Sequence, residues 1–318
     1  MSDANGVGPV ARLLFLHAQT GLHPGSGTAL GTVDLPVQRE RHTGWPTIPG
    51  SALKGILRDR CREYARPRHG GSRKQANEND DLLLAAFGPG KVDESSSHAG
   101  ALSVTDARLL AFPVRSLRGV FAWVTCPAVL LRLERDLKLT HLPELGDSSG
   151  GKKLEDTQAL CAADSPLRVN KDRLVLEEFE FTCTGDCAAL AGWFAEHISD
   201  DAGTRQRLKA HLVVLSDNYF THFAKNATEI VARVGLDYEK KTVREGALFY
   251  QEFLPPETLF YSLVLANESR YEKHKVPAEQ IVAYLAGELR KNSLLQIGGD
   301  ETTGKGLCLA RLAGGKGA

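Results

Sequence analysis

The sequence predicts an α+β fold built on an antiparallel sheet of ferredoxin-like type. Strand and helix patterns are mixed along the chain, without the regular β–α alternation of a doubly wound parallel sheet. With 318 residues, 42% of them hydrophobic and 25% charged, the chain is long enough for one large domain or two small ones. No convincing internal repeat divides it, so residues 1–318 are interpreted as a single domain.

The N-terminal part is interpreted as a buried strand followed by a long loop. Residues 8–22 are mostly apolar and end in a turn at 23–25, which is typical of a core strand. Residues 24–50 contain many Gly, Pro and Thr residues, so an extended, loop-like excursion is predicted there. This excursion separates the first strand from the first helix.

The first helix is predicted over residues 51–65. Ser51 is the expected N-cap because it follows a Pro-Gly pair. The apolar side chains fall on one stripe of this helix, whereas Lys54, Arg58 and a third basic residue one turn later fall on another. We expect the apolar stripe to pack and the basic stripe to face solvent or a polyanion.

The remaining pattern adds further elements and two insertions. Residues 66–81 and 144–154 are dominated by polar residues and glycine, so both are interpreted as flexible insertions. Residues 228–253 are interpreted as a long β-hairpin with a charged tip at 238–241, although no Asn-Gly pair fixes its register. Strands are predicted over 101–105, 108–113, 119–125, 173–182, 258–266, 293–298 and 306–312, and helices over 128–136, 187–197, 204–224 and 277–290.

Positive charge is concentrated in one segment of a neutral chain. The 39 Lys and Arg residues balance 39 Asp and Glu residues. Between Arg39 and Lys74, however, there are ten basic residues and only three acidic ones. This local excess favours contact with a nucleic-acid backbone, and the alternative is a solvated helix and loop. Because aromatic residues make up only 7% of the chain, backbone binding is favoured over base stacking.

Cysteine spacing and hydropathy exclude several classes of protein. The six cysteines include no CxxC pair, so no zinc site is predicted. No Ser-His-Asp, HExxH or EF-hand pattern can be assigned from spacing. There is no signal peptide and no apolar run of membrane length, which predicts a cytoplasmic protein with reduced thiols.

A glycine-rich segment near the C-terminus, GGDETTGKG at 298–306, nearly spells a phosphate-binding P-loop. Gly306 stands where a P-loop has a Ser or Thr for Mg²⁺, and a strand rather than a helix is predicted to follow. These two departures argue against nucleotide hydrolysis. A glycine-rich turn between strands can still offer backbone N–H groups to a nucleic-acid phosphate or sugar, and the alternative is a purely structural turn.

Asp34 and His23 are the candidate chemical groups. Asp34 lies among glycines and cations, where a carboxylate suits chemistry on a phosphodiester, and Mg²⁺ needs only one or two carboxylates beside water and substrate phosphate. The alternative is a loop carboxylate that caps local amides or pairs with Arg39 or Arg41. His23, between a strand and a Pro-Gly pair, is interpreted as a structural or RNA-contacting imidazole rather than an acid–base group.

Several segments together resemble one family. HPGSG at 23–27, followed by GTVDLPVQRERHTGWPTIPGSALKGILR at 31–58, is similar to the N-terminal signature of the RAMP superfamily of CRISPR proteins. Within that superfamily, DLPVQRERHTGWP resembles the backbone subunits of type III-B effector complexes. LSVTDARLLAFPVRS at 102–116, GALFYQEFLPPETLF at 246–260 and LLQIGGDETTGKGLC at 294–308 agree in the expected order. The resemblance therefore spans nearly the whole chain.

The resemblance implies a modified ferredoxin-like, RRM-like palm with insertions and a protruding β-hairpin thumb at about 226–252. Copies are expected to stack head-to-tail along a CRISPR RNA guide, together with the other subunits of the Cmr complex. The thumb would kink the guide–target duplex at regular intervals. Each copy would then act as an endoribonuclease that cleaves single-stranded target RNA at a kink, with Mg²⁺ or Mn²⁺ as a substrate-assisted cofactor whose protein ligands are unassigned.

The resemblance also assigns residues. The family's catalytic aspartate matches Asp34, which would position the 2′-hydroxyl or a hydrated metal. The local charge already indicates Arg39 and Arg41 as RNA-binding residues, and the resemblance adds further positions that contact the guide. The predicted RNA-binding residues are therefore His23, Arg39, Arg41, Lys54, Arg58, Gly298, Gly299 and Lys305. Two rival functions stay open: an architectural RNA-binding subunit in which Asp34 is structural, and a stand-alone processing ribonuclease that needs neither partners nor metal.

Overall fold

The structure is a computed structural model that describes residues 9–28, 32–90, 98–145 and 154–314. The strands are β1 Val10–Ala18, β2 Thr47–Ile48, β3 Leu102–Val104, β4 Ala107–Arg115, β5 Phe121–Thr125, β6 Gln158–Cys161, β7 Arg168–Asn170, β8 Arg173–Leu176, β9 Phe179–Gly185, β10 Leu212–Leu215, β11 Glu229–Leu236, β12 Val243–Phe253, β13 Leu259–Ala266, β14 Leu294–Gln296 and β15 Leu307–Ala313. The helices are α1 Gly50–Ala65, α2 Arg73–Asn79, α3 Asp81–Phe87, α4 Pro127–Leu137, α5 Ala188–Ile198, α6 Ala202–His211, α7 Asp217–Asn226 and α8 Ala278–Lys291.

A mixed sheet of thirteen strands organises the part of the chain that the structure describes. Its order is β14-β15-β1-β13-β4-β5-β10-β6-β9-β8-β7, with β2 and β3 paired at its side. The centre is antiparallel, with β1 between β13 and β15, whereas the β5–β10 and β6–β9 pairs are parallel. The predicted α+β class with a ferredoxin-like palm is confirmed.

The first strand lies in the middle of the core. Residues 11–18 of β1 are all buried, and apolar side chains predominate on both faces rather than alternating with polar ones. The two buried polar side chains, Arg12 and His17, bond to Glu279 and Glu257. The helices α5 and α8 both pack against β1. On α5, Trp193 meets Phe15 edge-on with ring centroids 6.1 Å apart. No helix in the described ranges is long and apolar enough to cross a membrane.

Residues 66–81, predicted to be a flexible insertion, are helical instead. A 3₁₀ turn at Arg66–His69 leads into α2, and α3 begins directly after it. Ser72 and Asp80 cap the two helices by accepting backbone N–H groups of Gln75 and Leu83. The capping residues outweigh the low hydrophobicity on which the prediction was based. The second predicted insertion, 144–154, lies mostly outside the described residues.

Two elements predicted as continuous are each divided in the structure. The helix predicted over 204–224 is interrupted by β10, whose four buried aliphatic residues pair with β5 and β6. Ser216 then caps α7 by accepting the Tyr219 N–H. The strand predicted over 173–182 is the hairpin β8–β9, which turns at Glu177 with φ +48°.

The first helix starts one residue earlier than predicted, and without a side-chain cap from Ser51. The Oδ1 atom of Asp106 accepts the Gly50 N–H at 2.7 Å and takes the place of a local cap. A side chain at Gly50 would lie 2.4 Å from the Val104 carbonyl oxygen, so this contact requires glycine. The cap therefore comes from a residue distant in sequence.

Candidate functional site

A β-hairpin exposed along most of its length stands at one end of the site. The strands β11 and β12 form a separate two-stranded sheet with Glu229 opposite Phe253 and Leu236 opposite Val243. Most of its side chains are exposed, including Tyr238 at the tip, which is 81% exposed. This is the hairpin predicted over 228–253. Its exposed apolar side chains are Ile230, Val231, Val234, Leu236, Tyr238, Val243, Leu248, Phe249 and Tyr250.

The loop that carries Asp34 is bonded along the base of this hairpin. The Leu35 N–H donates to the Tyr250 carbonyl at 3.0 Å, and the Glu252 N–H donates to the Leu35 carbonyl at 3.0 Å. Leu35 and Gln251 thus pair in the manner of neighbouring strands. The backbone around Asp34 therefore has a fixed position relative to β12.

Asp34 itself is exposed, and its carboxylate is held by one backbone bond. Its Oδ2 atom accepts the Tyr250 N–H at 2.7 Å. Within the described residues Oδ1 accepts no hydrogen bond, and neither Arg39 nor Arg41 pairs with the carboxylate. The alternative interpretation was a loop carboxylate that caps local amides or pairs with an arginine. Asp34 does accept a hydrogen bond from a backbone amide, but this amide belongs to the hairpin and not to the loop of Asp34. One carboxylate oxygen stays open to a ligand.

Glu252 is the buried acid that joins the loop to the hairpin. Its Oε1 atom accepts bonds from Arg39 at 2.5 Å and from Thr228 at 2.9 Å, and its Oε2 atom accepts the Val37 N–H at 2.9 Å. Arg39 also donates to the Ala224 carbonyl at 2.8 Å. Arg39, predicted to contact RNA, is thus engaged with protein groups that fasten the loop to α7 and β12.

His23 joins the two glycine-rich segments. Its Nδ1 atom donates to the Glu252 carbonyl at 2.7 Å, and its own carbonyl accepts the Gly299 N–H at 3.1 Å. Gly298 has φ +81°, and a side chain there would lie 2.2 Å from the His23 carbonyl oxygen. Both the conformation and the close approach therefore require glycine at 298. His23 is buried, which agrees with the structural interpretation of this residue.

The C-terminal glycine-rich turn is bonded to the hairpin through an acid within the turn, Asp300. Asp300, at φ +64°, pairs with Arg233 of β11 at 2.9 Å and accepts a bond from Gln251 of β12 at 2.7 Å. Lys305 lies over the Phe253 ring at 5.1 Å from its centroid. Asp300 was missed as a site residue because its partners are far away in sequence, whereas Glu252, at the hairpin exit, stands out in the sequence as a second acid to test.

Lys54 and Arg58 do not form the solvent-facing stripe that the helix pattern predicts. Lys54 donates to the Leu102 carbonyl at 2.8 Å, and Arg58 donates to the Gly88 carbonyl at 2.8 Å and to Asn77 at 3.0 Å. Burial lowers the pKa of both side chains, and the neighbouring positive charge of Arg58 adds to the effect on Lys54. Both cations fasten α1 to its neighbours.

An open group of cations lies instead beside the N-terminus of α1, in a cleft of about 690 Å³ that we call the arginine cleft. Arg132 pairs with Glu40, and Arg108 pairs with Asp136. The remaining two arginines, Arg41 and Arg135, are exposed and make no ion pair within the described ranges. The cleft is lined by Glu40, Arg41, His42, Gly50, Ser51, Val104, Thr105, Asp106, Arg108, Arg132 and Arg135.

The loop from residue 34 to residue 42 connects the two parts of the site. It leaves the hairpin base beside Asp34 and reaches the arginine cleft at Arg41. The site thus combines one open carboxylate, an exposed hairpin and two guanidinium groups that have no partner in the part of the chain that the structure describes. Such a combination suits a charged backbone that is bound electrostatically and attacked at one position.

Comparison with known proteins agrees with this geometry. The model of the RAMP superfamily matches residues 15–308. A curated relative from Pyrococcus furiosus, "CRISPR system Cmr endoribonuclease Cmr4", is 35% identical over 305 residues, which cover 93% of each chain. The crystal structure of oligomeric Cmr4 from the same organism is 30% identical with a TM-score of 0.69, covering 96% of this chain and 98% of the other.

A third similarity is to a chain in the cryo-EM structure of the type III-B Cmr-beta complex bound to cognate target RNA. That chain is 25% identical, with a TM-score of 0.70 and coverage of 96% of this chain and 98% of its own length. The family match spans most of the sequence. The chain therefore belongs to the RAMP superfamily.

Proposed function

We propose that this RAMP-superfamily chain is the backbone subunit of a type III-B CRISPR effector complex, in which it binds guide RNA and cleaves the paired target RNA. The observation that carries the proposal is the exposed Asp34 carboxylate, held by the hairpin through one oxygen with the other open. The relative named an endoribonuclease and the neighbour bound to target RNA support it.

Asp34 would act on the ribose of the target strand. Cleavage by the 2′-hydroxyl requires that oxygen to lie in line with the leaving 5′-oxygen, and a regular A-form helix prevents this alignment. The open Oδ1 atom can accept the 2′-hydroxyl proton while the Tyr250 N–H holds Oδ2 in place. The expected products are a 2′,3′-cyclic phosphate and a 5′-hydroxyl.

The hairpin would create the required distortion. It exposes apolar side chains on both strands, and Tyr238 at its tip presents a flat ring. Inserted into a guide–target duplex, such a thumb would separate one base pair and free the backbone to reach the in-line arrangement. Sequence choice would then belong to guide pairing, so the protein needs no base readout.

A divalent cation could be bound at this site jointly by the protein, water and the substrate. The structure describes no group of three or more His, Cys, Asp or Glu side chains placed to hold a metal ion. One carboxylate with an open oxygen is nevertheless a donor that Mg²⁺ or Mn²⁺ can share with water and a substrate phosphate. Because Asp34 has one open oxygen, that oxygen would either accept the 2′-hydroxyl proton or hold a hydrated cation; a cation held there would neutralise charge that develops on the phosphate.

The RNA backbone would follow the cations that the protein leaves open. Arg41 and Arg135 in the arginine cleft carry this role most directly, because their guanidinium groups have no protein partner among the described residues. The exposed Gly299 and the half-buried Lys305 beside the hairpin base would contact the strand near Asp34. His23, Arg39, Lys54 and Arg58 would shape the surface, with Gly298 allowing the close approach to His23.

Assembly would repeat this surface along the guide. The similarity to oligomeric Cmr4 and to a chain of a Cmr complex supports association with further copies and with other Cmr subunits. The arrangement that we infer is a head-to-tail stack, and the location that we infer is the cytoplasm. Each copy would then supply one thumb and one Asp34, which gives cuts at regular intervals.

The test is an Asp34→Asn variant in the assembled complex, with guide RNA, labelled complementary RNA and Mg²⁺. The amide keeps the shape of the carboxylate but removes its charge, so we expect guide and target binding to persist while cleavage falls by at least about 100-fold. Asp164→Asn, at an exposed aspartate elsewhere, is the matched control and should cut normally. Undiminished cutting by the Asp34 variant would select the architectural role instead.

A further inference from the structure

Three cysteines lie together around β6 and β9, which are several strands away from β14 and β15 in the order of the sheet. Cys161 ends β6, Cys183 lies in β9, and Cys187 directly precedes α5. The strands β6 and β9 are parallel neighbours, with Ala159 opposite Cys183. The Sγ atoms of Cys161 and Cys183 are 3.1 Å apart. The proposed RNA chemistry uses none of these thiols.

The first two cysteines are positioned to form a covalent bond. A disulfide has an S–S length of about 2.05 Å, so their sulfur atoms need to approach each other by only about 1 Å. The pairing of β6 with β9 already holds the two backbones side by side. Cys161 is two residues along β6 from the residue opposite Cys183, so the two side chains meet diagonally across this strand pair, and closing the bond requires both to rotate toward each other.

The two thiols differ in a way that assigns them separate roles. Cys183 is half-buried, and its hydrogen-bonded contact with the Cys161 thiol, assisted by the nearby Arg168, lowers the pKa of Cys183 below its ordinary value. The same hydrogen bond, together with burial, raises the pKa of Cys161, which is buried. Cys183 is thus the accessible thiolate, and Cys161 is the thiol held against it.

The other four cysteines lack these properties. Burial raises the pKa of Cys61, Cys187 and Cys308 to about 12, and it raises the pKa of Cys126 well above its ordinary value. All four are buried. Cys187, the nearest to the pair, donates instead to the Leu212 carbonyl at 3.4 Å. One thiol of the six therefore combines access with thiolate character.

We propose that Cys183 and Cys161 form a hydroperoxide-oxidised thiol pair, a modification site separate from the RNA surface. The Cys183 thiolate attacks the O–O bond of hydrogen peroxide, so that an S–O bond forms and, with one proton taken up, water leaves. The Cys161 thiol then attacks the resulting sulfenic acid, an S–S bond forms, and the S–O oxygen leaves as water with the Cys161 proton. In total, two thiols are oxidised by two electrons and one peroxide is reduced.

The test uses the purified full chain without RNA, so it is independent of the proposed function. Reduced protein is treated with a small excess of hydrogen peroxide, blocked with iodoacetamide and digested with trypsin without reductant. We expect mass spectrometry to show peptide 154–168 linked to peptide 174–205, and dithiothreitol to reverse the link. Because the second peptide contains both Cys183 and Cys187, the link must persist in Cys187→Ala.

Two further variants separate the steps. In Cys161→Ser the cross-link should disappear and dimedone should label Cys183, whereas Cys183→Ser should show neither product. Cys308→Ala, at a buried thiol outside the cluster, should behave as the unmodified chain does, and melting curves establish that each variant is folded. Free N-acetylcysteine in the same tube serves as the oxidation control. The proposal is overturned if this control is oxidised while all six thiols of the folded protein stay free, or if the link forms to Cys187 instead.

Discussion

The basic side of α1 and the arginine cleft beside it carry the same kind of charge but use it differently. Lys54 and Arg58 donate to backbone carbonyls and to Asn77, so their charge stabilises the packing of α1. Arg41 and Arg135 have no such partners within the described residues and face an open cleft. Local charge in a sequence therefore identifies a basic region, but partners distant in sequence decide which of its cations can bind a ligand.

The largest effect should come from the open cations. In the double variant Arg41→Ala, Arg135→Ala, the loss of two charge-assisted phosphate contacts should weaken guide binding by about 3 kcal/mol, roughly 100-fold, at low salt. The slope of log affinity against log salt should become shallower by about two, because fewer counterions are released. Filter binding across a salt series measures both. An unchanged slope would contradict a backbone-contact role for the cleft.

A smaller effect, and of another kind, is expected at Arg58. Arg58→Met keeps much of the aliphatic stem but leaves the Gly88 carbonyl and Asn77 without a donor, which should lower the free energy of unfolding by about 2 kcal/mol. Guide affinity per folded molecule should stay within about twofold, a change of less than about 0.5 kcal/mol. Urea unfolding and binding are measured on the same samples. Arg135→Met is the matched control, for which we expect an unchanged free energy of unfolding and weaker guide binding. If Arg58→Met weakened guide binding and Arg135→Met lowered stability, the comparison between the two regions would be wrong.

The smallest effect concerns acid stability of the segment beside α1. Burial alone would raise the pKa of Asp80, but hydrogen bonds from the Leu83 N–H, Arg68 and His69 outweigh it and lower the pKa below its ordinary value of 3.8. A carboxyl with a depressed folded-state pKa adds stability above its unfolded pKa and loses it as pH falls through the folded pKa.

Asp80→Asn keeps the cap but removes the charge, so it should cost about 1 kcal/mol at pH 7. The difference from the unmodified chain should shrink as pH falls below about 3.8. Thermal unfolding at several pH values measures it, with Asp164→Asn as the control. A difference that is constant with pH would show that the charge of Asp80 is not responsible.

The sequence allowed much of the architecture to be predicted. The apolar run of β1, the alternation in the hairpin and the turn between β14 and β15 are local signals, and the structure has elements at all three places. The predictions of secondary structure were wrong where two local signals favour different structures. Residues 212–215 continue an apolar helical pattern but pair as a strand, and Ser72 and Asp80 start helices in a segment with little hydrophobicity.

Less of the site than of the fold could be predicted from the sequence. Asp34 could be selected from its surroundings and from the family resemblance, and its catalytic role stays a prediction. Glu252 could be noted from its place at the hairpin exit, although its bonds to Arg39 and to the Val37 N–H could not be predicted. Asp300 could not be selected, because it is significant only through Arg233 and Gln251, which are far away in sequence. An acid that organises a site through distant partners carries no signal in local spacing.

The backbone bonds between the Asp34 loop and β12 have a geometric consequence. Since Leu35 pairs with Gln251, and the Tyr250 N–H donates to the Asp34 carboxylate, the acid is held at a fixed position relative to β12. If copies are arranged along a guide as proposed, the repeat distance between neighbouring subunits would set the distance between cuts. Changing the nucleotide sequence of the target would leave the interval between cuts the same, and only a change in subunit packing would alter it.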